Sequence, residues 1–146
     1  MNPTEMIRYL AVLALLLPEA LIDIRKHEIN VIIPGGFAIL GVVLTIIVRD
    51  IPYISVTVGI VEGLLIILIS YLTKEQIGHG DGIIIAATGT LLGWKSNLIM
   101  FFSACFMSAI VAVILMIIKK ADKKSRIPFV PFLIPGFLIS VLLAVI

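Results

Sequence analysis

Nine carboxylates punctuate this chain: Glu5, Glu19, Asp23, Glu28, Asp50, Glu62, Glu75, Asp81 and Asp122. Most fall between apolar runs or near their ends, where water is at hand and no special role is required. Three do not. Asp23 closes the first apolar run, Glu62 sits in the middle of the third, and Asp81 opens the fourth. An acid at membrane depth is costly and by default points to function. Asp81 follows Gln76-Ile77-Gly78-His79-Gly80 and precedes Gly82. Each glycine in a helix costs about 1 kcal/mol relative to alanine, so three together serve something other than helix formation. Glycine permits unusual backbone angles and the close approach of another chain. Two readings compete for this stretch: a loosened segment that pairs with a substrate backbone beside the acid, or a glycine-rich turn with an acidic helix N-cap. Two carboxylates at one depth favour the first. Brought close, they do not both ionise readily and share a proton. Such a pair supplies one group to take a proton from water and one to donate to a peptide carbonyl, as amide hydrolysis requires.

What must position these acids is a membrane-embedded scaffold. Of 146 residues, 61% are hydrophobic and only 14% charged, with a mean hydropathy of +1.24. Soluble domains run at about half apolar and a quarter charged, and a small domain leaves too much surface outside to hide the excess. Apolar runs cover about 6–22, 31–48, 51–72, 83–94, 97–118 and 127–146. A bilayer core needs about 20 residues per helix; five runs suffice, and the fourth does so only with its neighbours. The expected fold is therefore an all-α integral membrane protein, one domain over residues 1–146 with six transmembrane helices. No period-two alternation marks a barrel.

The charges lie mainly between the runs. Arg25 and Lys26, then Lys74, then Lys119 to Arg126 place eight basic residues on one side, against Arg8, Arg49 and Lys95 on the other. The positive-inside bias puts the first, third and fifth connections in the cytoplasm and both termini outside. Asp23 and Asp81 then share the cytoplasmic face. A net charge of +2 argues against nucleic acid as a partner. The lone Cys105 forms no internal disulfide and no multi-cysteine zinc site, and reads as a small buried hydrophobe. The first run ends at Pro18-Glu19 without the small residues of a cleavage site, so no cleavable signal peptide is expected. Lys119 to Arg126 reads as a solvated loop beside anionic lipid. Trp94 reads as an interfacial anchor, and Pro18, Pro34, Gly35 and Gly36 as helix kinks.

The motif Gly78-x-Gly80-Asp81 resembles the signature of intramembrane aspartyl proteases: prepilin peptidases, archaeal preflagellin peptidases and, more distantly, presenilin-like proteases. Ala20-Leu21-Ile22-Asp23-Ile24-Arg25-Lys26-His27-Glu28-Ile29-Asn30 is similar to the prepilin-peptidase segment that carries the first catalytic aspartate. Ala86-Ala87-Thr88-Gly89 and Leu92-Gly93 follow the second at the family's spacing, and Ile127-Pro128-Phe129-Val130-Pro131-Phe132 resembles its closing element. The resemblance implies a bundle of that protease type, with Asp23 and Asp81 as the catalytic pair and Gly78 and Gly80 supporting the site. It implies cleavage of the leader from type IV pilin-like precursors at the cytoplasmic face, the partner being a precursor with an N-terminal leader and a hydrophobic helix. Three departures stand out. Ile29 runs directly into Asn30 without the family's proline, Ile83 replaces a common lysine, and Val130 replaces a glycine. Larger relatives carry an N-terminal domain with paired cysteines and methylate the new N-terminus; here the expectation is a short form, a peptidase without methyltransferase activity.

No cofactor is expected. His27 and His79 adjoin the two aspartates, but the resemblance argues against a metal. Glu62 is expected to be structural or to face substrate. The competing class is a non-enzymatic membrane protein that transports or binds helices, for which Glu62 and the glycine-broken segment would serve equally.

Overall fold

The computed structural model describes residues 2–73, 78–118 and 127–145, and every regular element among them is an α-helix. These are α1 (Pro3–Lys26), α2 (Ile32–Val48), α3 (Tyr53–Leu72), α4 (His79–Leu92), α5 (Trp94–Ile117) and α6 (Val130–Val145). Lys74, Glu75 and Gln76 of the third connection, and Lys119 to Arg126 of the fifth, lie outside the described residues.

The outer surface of the bundle is apolar, and polar side chains lie among the apolar ones of its core. Ile32, Ile47, Tyr71, Leu72, Phe106 and Ile117 face outwards, while Arg8, Glu19, Asp23, Thr45, Thr88, Thr90 and Asn97 are buried. So large an apolar outer surface belongs to a protein whose solvent is lipid. Two helices, α3 and α5, are at once long and apolar enough to cross a membrane; α2 and α6 are apolar but shorter. α1 has the length, and the ionisable residues Arg8, Glu19 and Asp23 along it are turned inwards, each no more than 7% exposed.

The fourth helix differs from the sequence expectation at both ends. It begins at His79, so the glycine-rich stretch is helical from there on, and it stops at Leu92. Gly93, with φ of 72°, turns the chain, and Trp94 opens α5 instead of closing α4. At 14 residues and 1.5 Å per residue, α4 is about 21 Å long. It is held by its neighbours, packing on α1, α2, α3 and α5, with Ile84, Ile85 and Leu91 fully buried.

The α3–α4 contact is backbone on backbone. A Cβ on Gly59 would stand 2.7 Å from the Gly89 carbonyl oxygen, and one on Gly63 would stand 2.5 Å from that of Gly82. Small residues spaced a turn apart let helices approach this closely where no hydrophobic force drives them together. On the other side of α4, Gly41 of α2 lies against Thr90. Gly136 does the same for α6 on α5, against the Met100 carbonyl.

At the end of the bundle that holds the α1 N-terminus, Arg8 locks three elements together. Its Nε and Nη2 donate to Asp50 at 2.9 and 2.6 Å, Nη2 also to Thr45 Oγ1 at 3.2 Å, and Nη1 to the Thr90 and Leu91 carbonyls at 3.4 Å. Partial burial of Asp50 works to raise its pKa, but the hydrogen bonds and charge of Arg8 outweigh it and hold the carboxyl below its ordinary value. The contribution of this pair is therefore full above the ordinary carboxylate pKa and is lost as pH falls through the lowered one.

Two outcomes are expected in thermal unfolding of the detergent-solubilised protein. Gly63→Leu destabilises by about 1–3 kcal/mol through overpacking, whereas Gly35→Ala, with nothing near its Cβ position, is neutral or stabilising. Asp50→Ala leaves a buried guanidinium unpaired and costs about 3–5 kcal/mol at neutral pH; in Asp50→Asn the loss of stability on acidification is shallower than in the parent.

Candidate active site

At the opposite end of the bundle, α1, the α1–α2 connection, α4 and α6 converge around acids. Glu19 and Asp23 are one helical turn apart and share a face of α1. Beyond Asp23 the helix ends at His27, which adopts left-handed angles and donates its N–H to the Asp23 carbonyl at 2.9 Å. The His27 side chain is exposed.

Asp23 is buried, 7% exposed, and its Oδ2 accepts the backbone N–H of Val130 at 3.0 Å. Val130 is the first residue of α6, and first-turn N–H groups have no partner inside their own helix. A carboxylate at this place is also favoured by the helix dipole. The closing element of the sequence thus reaches the first aspartate through its main chain. That contact uses no side chain at position 130, so valine serves in place of the family's glycine, and its own side chain is fully buried. Phe129 is partly buried against the core and meets Phe101 edge-on, with ring centroids 6.1 Å apart.

Asp81 is the third residue of α4 and is half-buried; its N–H donates to the carbonyl of the N-cap, Gly78, at 3.2 Å. The start of α4 lies against the α1–α2 connection, where Gly80 meets Ile29, so Asp81 stands at the same end of the bundle as Asp23 and Glu19, a third acid of that end.

The motif glycines serve by leaving space. Gly78 has φ −65° and ψ 128°, angles open to any residue, so the expectation of an unusual backbone here is corrected. A Cβ at Gly78 would lie 2.9 Å from Asp81 Oδ2, and one at Gly80 would lie 2.5 Å from Ile29 Cδ1 and 2.6 Å from Ile29 Cβ. The first gap admits the carboxylate. The second admits a side chain from the α1–α2 connection.

Glu19 is 0% exposed. Its Oε2 accepts the Asn30 N–H at 3.2 Å, and its Oε1 has no hydrogen-bond partner among the described residues. Asn30 Oδ1 in turn accepts the Ile32 N–H at 3.0 Å at the start of α2. The signal for Glu19 was in the sequence: four residues before Asp23, it must share that face wherever the helix runs on past Pro18.

Two other singled-out residues point elsewhere. His79 Nδ1 and Ser70 Oγ are 3.0 Å apart, tying α4 to α3. Glu62 Oε2 accepts from Asn97 Nδ2 at 2.7 Å, and Asn97 Oδ1 accepts from Thr88 at 2.7 Å, which ties α3, α4 and α5 together. Among the described residues, no three His, Cys, Asp or Glu side chains are grouped as a metal site.

No curated protein and no solved structure matches the chain. A family model described as the type IV leader peptidase family matches residues 9–113, a stretch that holds Asp23, the glycine motif and Asp81 and ends before the closing element. With that much of its 146 residues matched, the chain belongs to the type IV leader peptidase family.

Proposed function

We propose that this protein is an intramembrane aspartyl endopeptidase that removes the leader from type IV prepilin-like precursors, with Asp23 and Asp81 as its catalytic pair. The observation that carries the reading is that these two acids, far apart in sequence, stand at one end of the bundle, where the residues leading out of α1 meet the start of α4 at Ile29 and Gly80. Family membership supplies the reaction class and the kind of substrate. In this reading one carboxylate takes a proton from water as that water attacks the scissile carbonyl. The other, protonated, donates to the carbonyl oxygen, and the roles exchange as the intermediate collapses.

The same reading has six crossings, with the acids at the cytoplasmic face and both termini outside. Arg25 and Lys26 at the end of α1, beside Asp23, agree with that orientation. The precursor presents a bond next to its own hydrophobic helix, and lipid carries that helix to the bundle. A transport role finds less support, because Glu62, the acid it would need along a path, is tied to Asn97 between packed helices.

Cleavage of a pilin-like precursor by the purified protein tests the reading. Asp23→Asn and Asp81→Asn are each expected to lower kcat by about 10²–10⁴-fold while remaining folded, since asparagine still offers Val130 a carbonyl acceptor. Normal cutting by either variant removes the pair from the mechanism.

A further inference from the structure

Glu19 is the most deeply buried acid near the aspartates, yet one oxygen of its carboxylate has no hydrogen-bond partner among the described residues. A buried polar atom left unpaired costs about 1–3 kcal/mol, so fold stability alone does not account for an acid here. What its other oxygen holds is specific. The Asn30 N–H belongs to the α1–α2 connection, residues 27–31. That short connection has few anchors of its own: His27 closes α1, and Asn30 opens α2. Between them Ile29 extends onto the space left at Gly80, directly before Asp81 in the chain, and packs against the core.

A continuous set of contacts thus runs from α1 to α4. Glu19 fixes Asn30, Asn30 fixes the neighbouring Ile29, Ile29 sits on Gly80, and Gly80 leads into Asp81. Asp23 rides on the same face of α1 as Glu19, one turn further on. The connection therefore acts as a spacer between the helix that carries one aspartate and the helix that carries the other.

We propose that Glu19 is a positioning residue for the aspartate pair: by holding the α1–α2 connection it seats Ile29 on Gly80 and so sets Asp81 against Asp23. This rests on the catalytic reading above, and it gives Gly80 a physical reason to be glycine in this chain. It also separates two roles for Glu19. If the residue acts as an acceptor that holds a loop, glutamine replaces it. If it acts as a proton donor or a charge, glutamine does not.

Steady-state cleavage of a pilin-like precursor by Glu19→Gln and Glu19→Ala, with hydrogen exchange of the uncleaving protein in detergent, tests this. Glu19→Gln is expected to keep kcat near the parent value. Glu19→Ala is expected to lose about tenfold to a hundredfold in kcat, the size of effect that a misplacement of about 1 Å can produce, with KM little changed. In Glu19→Ala, but not Glu19→Gln, amide exchange quickens over residues 27–32 and 79–82. Gly80→Ala should lower kcat, and Ile29→Ala placed in the same chain should restore part of it, because the two side chains compete for one space. Glutamine as damaging as alanine, or parent-like kcat in Glu19→Ala, overturns the proposal. Unchanged exchange over both segments in Glu19→Ala overturns it whichever way cleavage falls. Failure of the catalytic reading is distinguishable, since it shows in Asp23→Asn or Asp81→Asn cutting normally.

Discussion

The close crossing of α3 on α4, main chain against main chain at Gly59 and Gly89, is the constraint on which the arrangement of this protein depends. α4 is too short to settle its own depth by spanning the hydrocarbon, so its position is given by what grips it. Lipid offers no hydrophobic drive for helices to associate; close approach and buried hydrogen bonds must do it. Glycines supply the approach on α3, and Gly41 on α2 supplies it on the opposite flank. Asn97 and Glu62 add hydrogen bonds at the level of Ile85 and Thr88. With α4 held on three sides, its first turn, and Asp81 in it, is fixed relative to the other helices.

The fixed helix needs a partner at the right distance, and α1 provides it as a rod with two anchors. At one end Arg8 ties α1 to the α2–α3 connection and to the last carbonyls of α4. At the other, Asp23 takes the first N–H of α6. The two acids therefore stand on helices that are each located independently, and a short connection carrying Ile29 fills the remaining gap between them. Under the proposed function, such rigidity keeps the two carboxylates at a fixed separation through the reaction.

Much of this was legible in the sequence, for a physical reason. Apolar runs divided by charged or glycine-bearing connections mark out the six helices, and an ionisable residue inside such a run or at its edge stands out, as Glu62, Asp23 and Asp81 do. Other features were not legible. Arg8 looks like an ordinary terminal charge until Asp50, forty-two residues on, is seen to meet it. The start of α4 was hidden because glycines read as a broken helix, whereas here Gly80 and Gly82 are helical, and Gly80 and the N-cap Gly78 leave the gaps for Ile29 and for the Asp81 carboxylate. Val130 looks like a lost motif residue, although the contact it makes is through its main chain. Each of these depends on which residue faces a given atom across the bundle, and one chain's pattern does not carry that.

The two ends of α1 are satisfied to different degrees, and the difference is informative. Every nitrogen of the Arg8 guanidinium has an acceptor, which makes that end a closed ionic lock with nothing left to bind. At the far end Glu19 keeps a buried oxygen with no hydrogen-bond partner among the described residues, Asp23 stands one turn further on along the same face, and Asp81 is still partly open. A fold selected for stability alone would pair or remove such groups, because a low-dielectric interior magnifies the penalty for leaving them. Strain of this kind persists where the surrounding structure can carry it and where it is used. The Arg8 lock and the glycine crossings are what carry it here, at Glu62 in the middle of the bundle as well as at Glu19 beside the aspartates.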